Sequence, residues 1–288
     1  MKSAKQLELS VSVLGRAAWR MLQGAGSLTV LGVTSKGAFL QDEAGGVCFL
    51  SQEGWRGPLT ANLREHVSLR DYLRVGARGL LHGGGITFPA CRIVIPAEAE
   101  TWAAAPIEMA GFVPGEALGR GCTLARQMDW TGSLFQAFSA AFMESAWERA
   151  VQALLDLAPG QGDWLEKLPE LLGLGEGLTP AGDDFICGWL LAQQALDLDL
   201  SIPAQGARSL TDLPVLARER TTTLSAALIT CAAAGQADER LLQAQAWLLT
   251  GAGDAEKIKE ELLTYGSSSG ADALAGMLAS LIWINQTN

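Results

Sequence analysis

The rhythm of hydrophobic and polar positions changes near residue 100. Between residues 27 and 96, apolar side chains come in short β-rich runs at 28–33, 37–40, 47–50, 79–82 and 86–95, with Gly-Gly or Ser-Lys-Gly punctuation. Short runs bounded by turn residues read as strands, and together they predict a small antiparallel sheet or open barrel. A short amphipathic helix is expected ahead of it, over residues 12–22. Past Trp102 the β signal fades, and residues 106–118, with Pro106, Pro114 and two glycines, read as a linker. The rest of the chain is helical in pattern: Leu134, Phe138, Phe142, Ala146 and Ala150 recur at spacings of four and draw one apolar stripe along residues 133–157. Further helices are predicted at 163–172, 180–196, 214–234, 239–249, 255–263 and 271–284. Residues 186–195 and 271–282 are apolar nearly all round, as buried central helices are. The expected architecture is α+β: a β-rich domain over 1–105, the linker 106–118, and a mainly helical domain over 119–288.

Composition narrows the function classes. A chain of 288 residues, 49% apolar and 18% charged, buries a full core and is neither disordered nor a disulfide scaffold. Its net charge of −10 argues against nucleic acid or an anionic membrane as partner, since both select clustered Lys and Arg. A small anion is not excluded, because a few backbone N–H groups and one Arg make a local positive site. The five cysteines are odd in number, widely spaced and free of any C-x-x-C pair, a pattern that suits a reducing compartment. The N-terminal stretch is charged and polar where a secretory leader is apolar, so a cytoplasmic location is expected.

The candidate chemistry lies in the helical half. In Gly173-Leu-Gly-Glu-Gly-Leu-Thr-Pro-Ala-Gly-Asp-Asp184, three alternating glycines allow positive φ and close approach to a bound group. Thr179 then offers an N-cap and Pro180 a first helical residue. Gly175, Gly177, Thr179 and Gly182 are therefore candidates to cradle a phosphate or carboxylate at the helix N-terminus. The structural alternative is a well-capped helix after a flexible turn. No Lys-Ser/Thr comes after the glycines and no clear strand precedes them, so this is neither a P-loop nor a dinucleotide fingerprint. With only His66 and His82, and no ligand-like cysteine spacing, a zinc site is not expected. His82-Gly-Gly-Gly85 without a G-x-S-x-G elbow does not make a serine hydrolase.

The segment 179–188 has an echo at 267–276, sharing the pattern hydroxyl-x-small-Gly-x-Asp-x-aliphatic-x-Gly. In it Asp184 corresponds to Asp272, whereas Asp183 corresponds to Ala271. Each shared Asp is followed four residues later by a glycine, Gly188 or Gly276, on the same helical face. If those faces meet, Asp184 and Asp272 converge as candidate catalytic carboxylates, with Ser268, Ser269 and Gly270 as further ligand-binding candidates. A capping box, Ser269-x-x-Asp272, is the alternative for Asp272. A third patch, Arg218-Glu-Arg-Thr-Thr-Thr-Leu-Ser225, offers Arg220 and Thr222 to an anion, or is simply a helix start.

At Gly173–Asp184 followed by Phe-Ile-Cys-Gly, at Thr221–Ser225 and at Ser268–Gly276, the chain resembles the AllH family, a subunit of oxamate carbamoyltransferase. The specific part of the likeness spans residues 172–277, and Glu176 and Ala181 stand where the family commonly has Pro and Ser. The resemblance implies phosphorolysis of oxalurate to oxamate and carbamoyl phosphate in allantoin and purine breakdown. It also implies partner subunits, one of them resembling acyl-CoA synthetases. Two other readings stand beside it. One is a Mg²⁺-dependent hydrolase of a small phosphorylated compound, with Asp183, Asp184 and Asp272 as oxygen ligands. The other is a non-catalytic assembly or sensing subunit. A possible Mg²⁺ is the one cofactor considered, and no organic cofactor is expected.

Overall fold

In the computed structural model, residues 6–107, 112–127, 167–196 and 212–287 are described. They form two compact units, 1–104 and 105–288, each with its own apolar core.

The first unit is a closed barrel. Its strands are β1 (Leu7–Gly15), β2 (Gly26–Val33), β3 (Gly37–Asp42), β4 (Val47–Ser51), β5 (Thr60–Leu63), β6 (Arg78–Leu81), β7 (Gly85–Thr87), β8 (Cys91–Val94) and β9 (Glu100–Trp102). The order runs β5-β4-β3-β2-β6-β7-β8-β1, and β1 closes the ring by pairing antiparallel with β5, Val11 opposite Leu63. β9 pairs with the last residues of β1. The expected β-rich barrel is present, and it differs from the expectation in two details. The sheet is mixed, with β1–β8, β4–β5 and β1–β9 parallel, and it is closed because β1 joins strands far along the chain.

Residues 12–15 belong to β1 rather than to the expected helix. Leu9 and Val11 alternate inward, a bulge between Val11 and Val13 shifts the phase, and Leu14 then points into the core. Helix α1 (Arg16–Leu22) starts only after Gly15, where an added Cβ would lie 1.9 Å from the Gly57 carbonyl oxygen. The expected run 86–95 is two strands, β7 and β8, and β5 and β9 are additional.

The second unit contains α2 (Pro114–Gln127), a 3-10 turn (Leu168–Leu171), α3 (Ala181–Ala195), α4 (Leu213–Arg220), α5 (Thr223–Ala232), α6 (Glu239–Thr250), α7 (Ala255–Leu263) and α8 (Ser269–Thr287). The expected helix 133–157 lies outside the described residues, as do residues 163–166 of the one expected at 163–172. The helix expected over 214–234 is two. Thr221 is extended (φ −135°, ψ −172°) and ends α4, while the Thr222 side chain caps α5 by accepting the Ser225 N–H.

At the centre of this core lie α3, buried from Ala181 through Gln193, and α8, buried over most of its length. They run parallel and in register. Thr179 meets Ser269 near their N-termini, 90 residues on, and Gln193 donates to the Ser280 hydroxyl further along, 87 residues on. A nearly constant offset means that both helices advance in the same direction. Between these points two glycines interlock reciprocally. A Cβ on Gly188 would lie 1.7 Å from the Ala273 carbonyl oxygen, and one on Gly276 would lie 1.9 Å from that of Phe185. The backbones meet where side chains are missing.

Candidate functional site

The parallel pairing brings the two echoed motifs to one end of the helix pair. Their reciprocal glycine contacts relate Gly188 to the residue after Asp272, and Gly276 to the residue after Asp184. The sequence echo is thus a packing relation across a local pseudo-two-fold axis.

Ahead of α3, Gly173, Gly175 and Gly177 all take positive φ, at 75°, 122° and 93°. At Gly173 the chain passes so near α4 that a Cβ would lie 2.4 Å from the Arg220 carbonyl oxygen. Gly175 and Gly177 form an exposed tip. Pro180, at φ −53° and ψ 143°, stands at the N-cap position, and no side chain caps the helix. Thr179 is therefore not the expected cap. Its hydroxyl lies 3.2 Å from that of Ser269 instead. The Gly182 N–H donates to the Leu174 carbonyl, and a Cβ there would lie 2.1 Å from the Leu171 carbonyl oxygen.

The α8 end is built alike. Gly266 turns the chain at φ 71°, the Asp272 N–H donates to the Ser268 carbonyl, and the Gly270 N–H donates to the Tyr265 carbonyl. A Cβ on Gly270 would lie 2.3 Å from the Leu262 carbonyl oxygen. Ser269 is the first residue of α8 rather than its cap, so the capping-box spacing, which needs the acid three residues after the cap, is not met by Ser269 and Asp272.

The adjacent aspartates of α3 do different jobs. Asp183, 1% exposed, accepts the Gly173 N–H at 2.8 Å on Oδ1 and the Thr221 hydroxyl on Oδ2, tying the Gly-rich loop to the α4–α5 junction. Burial raises its pKa, and those hydrogen bonds pull it back. Asp184 is 3% exposed, and its Oδ2 has no hydrogen-bond partner among the described residues. Burial pushes its carboxyl well above the ordinary range. The Asp272 and Asp183 carboxylates push it further, against the Ser269 and Thr179 hydroxyls. Asp272 is fully buried one turn into α8. The arrangement puts a carboxyl of raised pKa at a junction of two helix N-termini, flanked by two hydroxyls.

The remaining candidates brace this junction from outside. The Thr222 hydroxyl donates to the Leu178 carbonyl at 2.6 Å, and Arg220 donates from Nη1 to the Pro169 carbonyl at 3.3 Å. Among the described residues no group of three or more His, Cys, Asp or Glu side chains is gathered to hold a metal ion. Sequence reasoning missed a second brace, the buried pair Asp238–Arg240 beside Tyr265. A signal was present: Arg240 stands in the first turn of α6, where the helix dipole disfavours a cation, so another interaction holds it there.

The fold and the site define an α+β protein whose helical unit gathers hydroxyl and carboxyl groups at two adjoining helix N-termini. The family model described as oxamate carbamoyltransferase subunit AllH matches residues 171–281, a segment holding both glycine-rich turns, α3 and most of α8. Over that segment the chain is similar to the AllH family, which its description names as an enzyme subunit. No curated protein and no solved structure matches the chain. No helix among the described residues is long and apolar enough to cross a membrane.

Proposed function

We propose that this chain is the oxamate carbamoyltransferase subunit that holds the small anionic reactants, and that it does so where the N-termini of α3 and α8 meet. One observation carries the reading: the Thr179 and Ser269 hydroxyls and the buried Asp184 carboxyl converge there, inside the segment that matches the family. The reaction is phosphorolysis of oxalurate to oxamate and carbamoyl phosphate. A phosphate oxygen bonds to the carbamoyl carbon, the bond from that carbon to the oxamate nitrogen breaks, and the proton lost by hydrogen phosphate ends on that nitrogen.

Both reactants are anions, so joining them requires fixed positions and neutralised charge. Parallel helices present the positive ends of both dipoles on the same side, and Thr179 and Ser269 supply hydroxyl donors. Burial raises the Asp184 pKa and so favours its neutral form, which adds no repulsion. That form is suited to give its proton to the leaving nitrogen and recover one from phosphate. Gly175 and Gly177, at the exposed loop tip, lie where backbone N–H groups are reachable by a ligand. Arg220 and Thr222 act by bracing the loop.

The test is co-expression with the partner subunits, one resembling acyl-CoA synthetases, followed by an assay of phosphate-dependent oxalurate cleavage read as carbamoyl phosphate formed. The expected result is turnover that requires this chain. A complex that works without the chain, or that cleaves oxalurate equally well without phosphate, ends the reading.

A further inference from the structure

The turn that enters α8 is held from below by one side chain. Arg240, 5% exposed, forks onto both oxygens of Asp238, Nε to Oδ1 at 2.8 Å and Nη2 to Oδ2 at 2.9 Å. Its Nη1 donates to the Thr264 carbonyl at 3.0 Å and to the Thr264 hydroxyl at 3.1 Å. The guanidinium carbon lies 5.0 Å from the centre of the Tyr265 ring, which packs on the helical core. The next link is backbone: the Tyr265 carbonyl accepts the Gly270 N–H at 3.1 Å. Ser269, which meets Thr179, sits between these two residues in the chain. A planar guanidinium makes all these contacts at once, and an ammonium does not. Burial, with the Asp238 and Asp184 carboxylates next, pushes the Tyr265 hydroxyl well above its ordinary pKa.

We propose that Arg240 is a positioning residue for the α8 half of the site: with Asp238 it fixes Thr264 and Tyr265, and through the Tyr265 carbonyl it fixes the Gly270 amide and the Ser269 hydroxyl. The inference rests on the proposed function only for the claim that Ser269 lines the site.

Amide hydrogen exchange of the full chain tests it directly. In Arg240→Lys, which keeps a positive charge beside Asp238, exchange at Gly270 should rise about tenfold, the scale of one or two lost charge-assisted hydrogen bonds. Exchange in the later turns of α8, such as Leu274 and Leu278, should not change. Should Arg240→Lys fail to fold, Thr264→Ala leaves the ion pair intact and should raise Gly270 exchange by a smaller factor. Unchanged exchange at Gly270, or an equal rise along all of α8, means that Arg240 is only a core ion pair and overturns the proposal. In the assembled enzyme, Arg240→Lys and Ser269→Ala should be non-additive in kcat/KM, because the second removes what the first displaces. Additive losses would overturn it too. If the wild-type complex does not cleave oxalurate, the proposed function fails, and the exchange comparison alone decides the role of Arg240.

Discussion

Asp183 and Asp184 are neighbours of the same type, and their surroundings separate them. Asp184→Asn keeps the size and removes the transferable proton. Activity of the assembled enzyme should fall at least about 100-fold, the scale of one positioned acid–base group, while folding survives. Asp183→Asn should lose far less activity but cost about 1–3 kcal/mol of stability, since both its oxygens accept hydrogen bonds out of contact with water. Equal activity losses would make Asp184 structural. The pH dependence comes from the raised pKa of Asp184. A carboxyl whose folded pKa lies above its unfolded value, about 3.9, binds more protons in the folded state. Its contribution is therefore most favourable below the unfolded pKa and declines as pH rises towards the folded one. Asp184→Asn should gain stability relative to wild type as pH is raised from about 4 to 7, as read from urea midpoints. A difference independent of pH would refute this. The sequence echo singled out Asp184 over Asp183 because only Asp184 has a counterpart. It was silent on the partners of Asp183, because Gly173 and Thr221 are brought to it by tertiary packing.

At the scale of elements, the α3–α8 seam stands on two missing side chains. Gly188→Ala and Gly276→Ala each place a methyl inside van der Waals distance of a backbone carbonyl that has no rotamer to yield. Each should cost about 1–3 kcal/mol or more, and together less than the sum, since the first already pries the seam apart. Thermal unfolding of the two single variants and the double checks this. Strict additivity would mean that the glycines act separately. Most helices here were legible from apolar periodicity and from Pro, Gly and Asp at their ends. What escaped were elements whose phase is set elsewhere. β1 was obscured because its bulge breaks the alternation just before a helical stretch, and the break between α4 and α5 because two threonines can continue a helix or cap one.

At the scale of the whole molecule, a β-first, helix-second order could be read from the change of period near residue 100, but barrel closure could not. It depends on β1 pairing with β5 and β8, and no local pattern encodes partners so distant in sequence. Because Leu9, Val30, Leu50 and Ile93 belong to a core formed within residues 1–104, a fragment of those residues should fold alone, with a β-type circular dichroism spectrum and a cooperative melt. A fragment without such a transition would show that the barrel needs the rest of the chain. The parallel register of α3 and α8 has a thermodynamic corollary. The two halves of the proposed site are 88 positions apart in sequence, as Asp184 and Asp272 are, so on the proposed function an unfolded chain has no site and a ligand held there binds only the folded form. Binding and folding are then linked by mass action. Phosphate or oxalurate at about 100 times its dissociation constant should stabilise the helical unit by about 2.7 kcal/mol, and Gly188→Ala, which disturbs the seam without touching the ligand, should weaken affinity and stability together.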